Sequence, residues 1–293
     1  MNKTTSSDMI SVEVVLYMVK INTNSQKPGR EDRYDFIPRG KDYEPFIEIQ
    51  DFGSLGRSHR PYGIKTGRKQ DFLSDLEKRY FLILEFTDMV VDIREQFPLE
   101  LKETRLIAEE LGIKYPFNPK TNDVMTSDFC ITIKDGNSMR DVIRTSKYKK
   151  ELLDRRVIEK FEIEKTYWER HGLDWGIVTE EEIDVNYCQN VDDILEYYDL
   201  ADNAGFREIS LQEREDMIIE LLQRLINSDK ATRQVLSLFE KDLHLKKGAG
   251  IALFKHAIAR NYISIDLFTP LDLEKNVRIG LLVKAREIGE VVS

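Results

Sequence analysis

Between about residues 73 and 178 the order helix, strand, helix, two strands, helix, strand predicts an α/β fold, with a mixed central sheet flanked by helices. Three observations carry this. Leu73, Leu76, Tyr80, Phe81 and Leu84 recur at helical spacing. Residues 90–97, VVDIREQF, read as a strand stopped by Pro98. Residues 127–147, SDFCITIKDGNSMRDVIRTSK, read as two short strands joined by a Gly-Asn turn. After about residue 180 the pattern becomes helical, with a helix, a Gly-containing turn, a helix and a strand-turn-strand wing, the order of a winged-helix module. The expected division is therefore a catalytic domain over residues 1–180 and a winged-helix-like domain over 181–293.

The elements follow in order. Residues 8–20 suit a short helix, and 22–67 are rich in Gly, Pro and charge, with one strand-like run at 45–49. Ser74 or Asp71 can cap the helix that follows. Residues 104–111 read as a helix ended by Gly112. Residues 150–171 form a long amphipathic helix and 173–178 a further strand. Residues 210–227, SLQEREDMIIELLQRLIN, are strongly amphipathic.

Of the 293 residues, 41% are hydrophobic and 33% charged, a composition that can bury a core and stay in solution. No apolar run approaches the ~20 residues that span a bilayer. The start, MNKTTSSDMISVEVV, lacks the apolar core of a signal peptide, so a cytoplasmic location without membrane contact is expected. Two cysteines support neither a disulfide framework nor a Cys-based zinc site. The formal net charge is -9, but residues 52–70 carry five basic residues and no acid. Such a patch bears on phosphate contact more than the total does. Arg57, His59, Arg60, Lys65 and Arg68 are the candidate DNA-contacting residues there, although a basic loop also suits plain solvation or pairing with local acids.

Glu77 falls inside the apolar stripe of its helix, where an ionised carboxylate is costly unless paired or metal-bound. Strand alternation puts Thr126, Asp128, Cys130 and Thr132 on one face, away from Ser127, Phe129 and Ile131. Lys147 closes the partner strand, sharing a face with Thr145. Each has an ordinary explanation by itself: an edge salt bridge, a strand-start cap, a solvated strand end. As an ordered set, a Glu on a helix, an Asp on a strand about fifty residues later and a Lys at the end of the adjacent strand match the layout of a restriction-endonuclease-like nuclease core. Two carboxylates suit one or two Mg²⁺ ions, which prefer oxygen ligands. Such a metal lowers the pKa of a bound water, and an ammonium stabilises developing charge.

Four blocks in the same order, GRSHRPYGIKTGR, LSDLEKRYFLILEFTDMVVDIREQFPL, MTSDFCITIKDG and EKFEIEKTYWERHGLDWGIVTEEEI, resemble the TnsA family over about residues 40–185. These proteins are the endonuclease subunits of heteromeric bacterial cut-and-paste transposases. The resemblance implies cleavage of the 5′ strands at transposon ends in double-stranded DNA. It implies two partners, a TnsB-type transposase of the integrase (DDE) kind and a TnsC-type ATPase regulator. It implies Mg²⁺, with Mn²⁺ as a substitute, and association with the nucleoid when bound to DNA. Carried over by position, the family's metal-binding carboxylates fall on Glu77 and Asp128 and its catalytic lysine on Lys147. The family's glutamine two residues before that lysine is Thr145 here, and the segment is one residue longer. A second register would place Arg144 and Ser146 there and leave no lysine; the chemistry favours Lys147, with Thr145 and the Ser146 carbonyl as further candidate metal contacts. In the C-terminal domain, Lys246, Lys247, Lys255 and Arg260 are candidate residues for docking the regulator. The substitution at Thr145 also feeds an alternative function, a catalytically impaired nuclease-fold scaffold that binds DNA within the transposition complex.

Overall fold

The computed structural model describes residues 37–47, 57–201 and 205–282. The helix expected at 8–20 and the last two residues of the run at 45–49 lie outside them. The chain divides into two compact units, Met1–Ile183 and Asp184–Ser293. Among the described residues no helix is long and apolar enough to cross a membrane.

The first unit is built on a four-stranded sheet. Its strands are β3 (Val90–Pro98), β4 (Thr126–Asp135), β5 (Ser138–Ser146) and β6 (Asp174–Val178), in that spatial order. The first three are antiparallel neighbours and β5 pairs parallel with β6, so the sheet is mixed. A small antiparallel pair, β1 (Tyr62–Gly63) with β2 (Arg68–Lys69), precedes it. The helices of this unit are α1 (Asp75–Phe86), α2 (Leu101–Glu110) and α3 (Arg155–Arg170).

Local chemistry accounts for the boundaries. Ser74 caps α1 by accepting the Glu77 N–H at 3.1 Å. At the other end, the Lys65 ammonium donates to the Thr87 and Val90 carbonyls at 2.9 and 2.6 Å, a cation where the helix dipole is negative. The turn between β4 and β5 spans two residues, with Gly136 at φ +57°, where a II′ hairpin places glycine. The helix expected at 104–111 starts three residues earlier, at Leu101, because Pro98 ends the strand and the chain turns at once around the buried Leu99.

Each face of the sheet is covered. On one, Phe97, Ile143, Ile163, Tyr167 and Trp168 form a core against α2 and α3. On the other, Phe129 packs on Phe72 and on Tyr80 of α1, with ring centroids at 5.7 and 5.2 Å.

The second unit holds α4 (Val185–Leu195), α5 (Leu211–Ile226), α6 (Thr232–Asp242) and α7 (Ala249–Ala259), then an antiparallel pair, β7 (Ile263–Ser264) with β8 (Gly280–Leu281). Ser210 and Glu213 form a capping box on α5. α6 and α7 approach so closely that a Cβ on Gly250 would lie 2.9 Å from the Leu236 carbonyl oxygen. The Asn190 amide donates to the Leu267 and Thr269 carbonyls, both at 2.8 Å, which ties the chain after β7 to α4.

Candidate active site

The helix α1 and strands β3, β4 and β5 converge on one acidic site in the first unit. Glu77 is the third residue of α1 and is 7% exposed. Its carboxylate bends back to the helix start, accepting from the Leu73 N–H at 2.9 Å and the Ser74 hydroxyl at 2.8 Å. The segment SDLE therefore makes a variant of the capping box, in which the returning acid takes the N–H of Leu73, one residue before the cap, and that acid is also buried. Burial, then the neighbouring charge of Asp128, push the Glu77 carboxyl up to about 8; those two hydrogen bonds and the Lys147 charge act against the rise.

Asp128 accepts the N–H and the hydroxyl of Ser146 on the same oxygen, at 2.7 and 3.0 Å. Burial raises its carboxyl as well, against those bonds and Lys147. Lys147 follows β5 directly, and its N–H donates to the Val178 carbonyl at 2.9 Å. Its ammonium rests on Glu151 at 3.0 Å, an i,i+4 pair with both side chains more than a third exposed. Glu77, Asp128, Ser146 and Lys147 are thus brought together.

Thr145 turns the other way. Its hydroxyl donates to Glu164 of α3 at 2.5 Å. The same Glu164 oxygen accepts from the Ser127 hydroxyl at 2.6 Å and the Trp175 indole at 3.0 Å, while Trp168 donates to Ser127 at 2.8 Å. Burial pushes Glu164 up to about 7, against these donors. Sequence reasoning passed over Glu164, yet a signal was present. It stands between Ile163 and Trp168 on the buried stripe of its helix, as Glu77 does on its own.

The facing of β4 corrects the expected alternation. Ser127 and Cys130 both lie on the α3 side, three residues apart, so the period-two pattern breaks between them. Phe129 packs on the α1 side, and Asp128 sits beside Glu77 rather than with Cys130 and Thr132. The partner strand breaks at the same level. Arg94 and Phe97, also three apart, are on one side, the guanidinium 5.1 Å from the ring centroid. Between them Gln96 takes φ +49°, a left-handed conformation rare for a residue with a side chain. Nothing in the sequence flags that residue, since glutamine carries no turn preference.

The basic residues before α1 are drawn into the fold to different degrees. Arg57 is exposed. His59 contacts Asp75 at 2.6 Å, and Arg60 forks onto Asp71 at 2.5 and 2.7 Å with its side chain 44% exposed. Lys65 holds the end of α1, and Arg68 is 10% exposed, forked onto the fully buried Glu95 at 2.6 and 2.5 Å. In the second unit Lys246 and Lys247 are exposed in the α6–α7 turn. Lys255 pairs with Asp193 at 2.7 Å, and Arg260 lies over Tyr198 at 4.6 Å.

Among the described residues no cluster of three His, Cys, Asp or Glu side chains stands ready to hold a metal. Among the described residues of the site Glu77 and Asp128 supply the carboxylate oxygens, and Ser146, hydrogen-bonded to Asp128 from the neighbouring strand, offers a candidate backbone carbonyl. That donor set is too thin for a zinc or calcium cage but fits Mg²⁺, which keeps several waters and takes one or two carboxylates plus a phosphate. The raised carboxyl pKa values fit too: burial resists two negative charges side by side, and a divalent cation would offset them once both carboxyls are ionised.

Comparison with known proteins gives the following. A family model described as TnsA-like endonuclease N terminal matches residues 87–180, and one described as TnsA endonuclease C terminal matches residues 182–267. The transposon Tn7 transposition protein TnsA of Escherichia coli is 44% identical over 153 residues, covering 52% of this chain and 56% of its own length. The chain thus spans about half the length of that relative.

Proposed function

From the premise that this chain belongs to the TnsA family, we propose that it is a Mg²⁺-dependent DNA endonuclease that cleaves the 5′ strands at transposon ends during cut-and-paste transposition. The observation that carries this reading is the meeting of Glu77 and Asp128, two buried carboxyls whose pKa values are pushed up by burial, with Lys147 beside them.

Glu77, Asp128 and the Ser146 carbonyl would hold the metal, and Mn²⁺ would replace Mg²⁺. When bound, such an ion supplies Lewis-acid stabilisation of charge at the scissile phosphate and lowers the pKa of a coordinated water. The protein's part is positional. Ser146 fixes one Asp128 oxygen, so the other faces the site. Leu73 and Ser74 fix Glu77. Lys147 releases Glu151 and places its ammonium against the phosphate as negative charge develops. Thr145 stays with Glu164 and supports the floor of the site rather than the metal.

Arg57 and the outer edge of Arg60 would contact phosphates and position the duplex. A DDE transposase of the TnsB type would deliver the ends, and a TnsC-type ATPase would dock on the second unit, which we read as winged-helix-like from its helix-turn-helix and its β7–β8 pair. The alternative, an inactive DNA-binding scaffold, draws on Thr145 in place of the family's glutamine.

The test is to combine the protein, end DNA, transposase and Mg²⁺ and map 5′ nicks. Nicks lost in Asp128→Ala and Lys147→Ala but present in wild type support the enzyme; no nicks from wild type support the scaffold.

A further inference from the structure

We propose that Gln96 is a positioning residue of the acid pair, its side-chain amide steering Glu77 and its left-handed backbone turning the strand pair so that Asp128 reaches the same side. This rests on the metal-dependent reading of the site.

The geometry is specific. The register runs Arg94 to Cys130, Glu95 to Phe129 and Phe97 to Ser127, which puts Gln96 opposite Asp128. Its Nε2 donates to Glu77 Oε2 at 3.4 Å, and the Thr126 hydroxyl donates to its Oε1 at 3.2 Å. A metal-binding Glu77 would be ionised and would accept only, so the amide nitrogen is the end suited to face it. Gln96 is 3% exposed and its own carbonyl accepts from Phe46 N–H at 3.4 Å. A left-handed glutamine inside a strand is costly, and such residues persist where the surroundings hold them and where function uses the distortion. Here the distortion coincides with the level at which both strands reset their alternation. With ordinary pleating, a residue paired with Gln96 would share the face of Cys130, away from Glu77. Gln96 thus joins three elements, α1 through Glu77, β3 through its own backbone and β4 through Thr126 and Asp128.

Two substitutions separate the amide from the backbone. Gln96→Gly accepts a left-handed φ without a Cβ penalty and removes the amide. Gln96→Asn tolerates the same φ but is one methylene too short to span Thr126 and Glu77. In the full-length protein both are expected to melt within a few degrees of wild type. Both should bind Mn²⁺ about tenfold more weakly by calorimetry, the usual scale for losing a ligand-orienting partner, and 5′ nicking should need correspondingly more metal. Wild-type Mn²⁺ affinity in both variants would overturn the proposal, as would both variants failing to fold, which would make Gln96 structural only. If wild type itself binds no Mn²⁺, the metal-dependent reading fails separately. The steering claim is then decided by the crystal structure of metal-free Gln96→Asn: a Glu77 carboxyl group displaced from its wild-type position supports the claim, and an unmoved one overturns it.

Discussion

Ser146 gives both of its donors, backbone N–H and hydroxyl, to a single oxygen of Asp128. Among the described residues the other oxygen accepts no hydrogen bond, so one end of the carboxylate is anchored and the other is presented to the site.

That anchoring predicts a graded series. Asp128→Ala and Lys147→Ala should each lower 5′ nicking by on the order of 10²-fold or more. Ser146→Ala keeps the N–H bond and loses one hydrogen bond of roughly 1 kcal/mol, so it should cost only about 5-fold. Nick mapping at transposon ends reads all three; a Ser146→Ala loss as deep as that of Asp128→Ala would mean that the hydroxyl acts on the substrate itself.

The buried acids predict a stability profile. Glu77 at about 8 and Glu164 at about 7 both lie above the 4.5 of an ordinary glutamate. The folded chain therefore holds protons that the unfolded chain releases. This stabilisation is complete below about pH 4.5 and is lost as pH rises through 7 and 8. For each such proton the slope is at most about 1.4 kcal/mol per pH unit. Urea unfolding in chelator from pH 5 to 9 should show the decline. Glu164→Gln should remove its share, and Mg²⁺ should restore stability at the alkaline end. A flat profile would mean that neither acid keeps its proton in the folded state.

Two arginines close in sequence should behave oppositely. Arg68→Ala strands the fully buried Glu95 and should destabilise the fold by about 3–5 kcal/mol. Arg57→Ala should leave the melting point unchanged while lowering the salt slope of DNA binding by about one. Calorimetric melting and binding titrations across salt concentrations distinguish the two, and a salt slope unchanged in Arg57→Ala would remove it from the phosphate contacts.

Cutting the chain near residue 240 would split α6 and strip away the fully buried Leu253 and Phe254 of α7, so truncation is a poor probe of docking. Reversing Lys246 and Lys247 to Glu is cleaner, since both are exposed. The expected result is roughly tenfold weaker, more salt-sensitive ATPase binding at unchanged melting temperature. Equal binding by the double variant would place docking elsewhere.

Much of the first unit was legible because its signals are local. The stripe through Leu76, Tyr80 and Phe81, the stop at Pro98 and the Gly136 turn each act within a few residues. Glu77 drew notice for the same reason, as a charge where apolar residues belong. The site's finer arrangement was not legible. Which way Thr145 points depends on Glu164, nineteen residues on in another element. Which face Asp128 takes depends on a backbone angle at Gln96 in a neighbouring strand. The basic stretch misled differently: composition registers five positive charges, but only folding reveals that Lys65 and Arg68 spend theirs inside the domain.

The pairing of Lys147 with Glu151 gives the site a resting state. An i,i+4 pair at a third exposure is held by only about 0.3–0.5 kcal/mol. That is enough to park the ammonium and too little to resist a phosphate with its larger charge. On the proposed reading the lysine would change partner without any rearrangement of the sheet beneath it. Arming the site would then fall to whatever brings a DNA end within reach, and the safety of the host genome would rest on that delivery rather than on an internal lock.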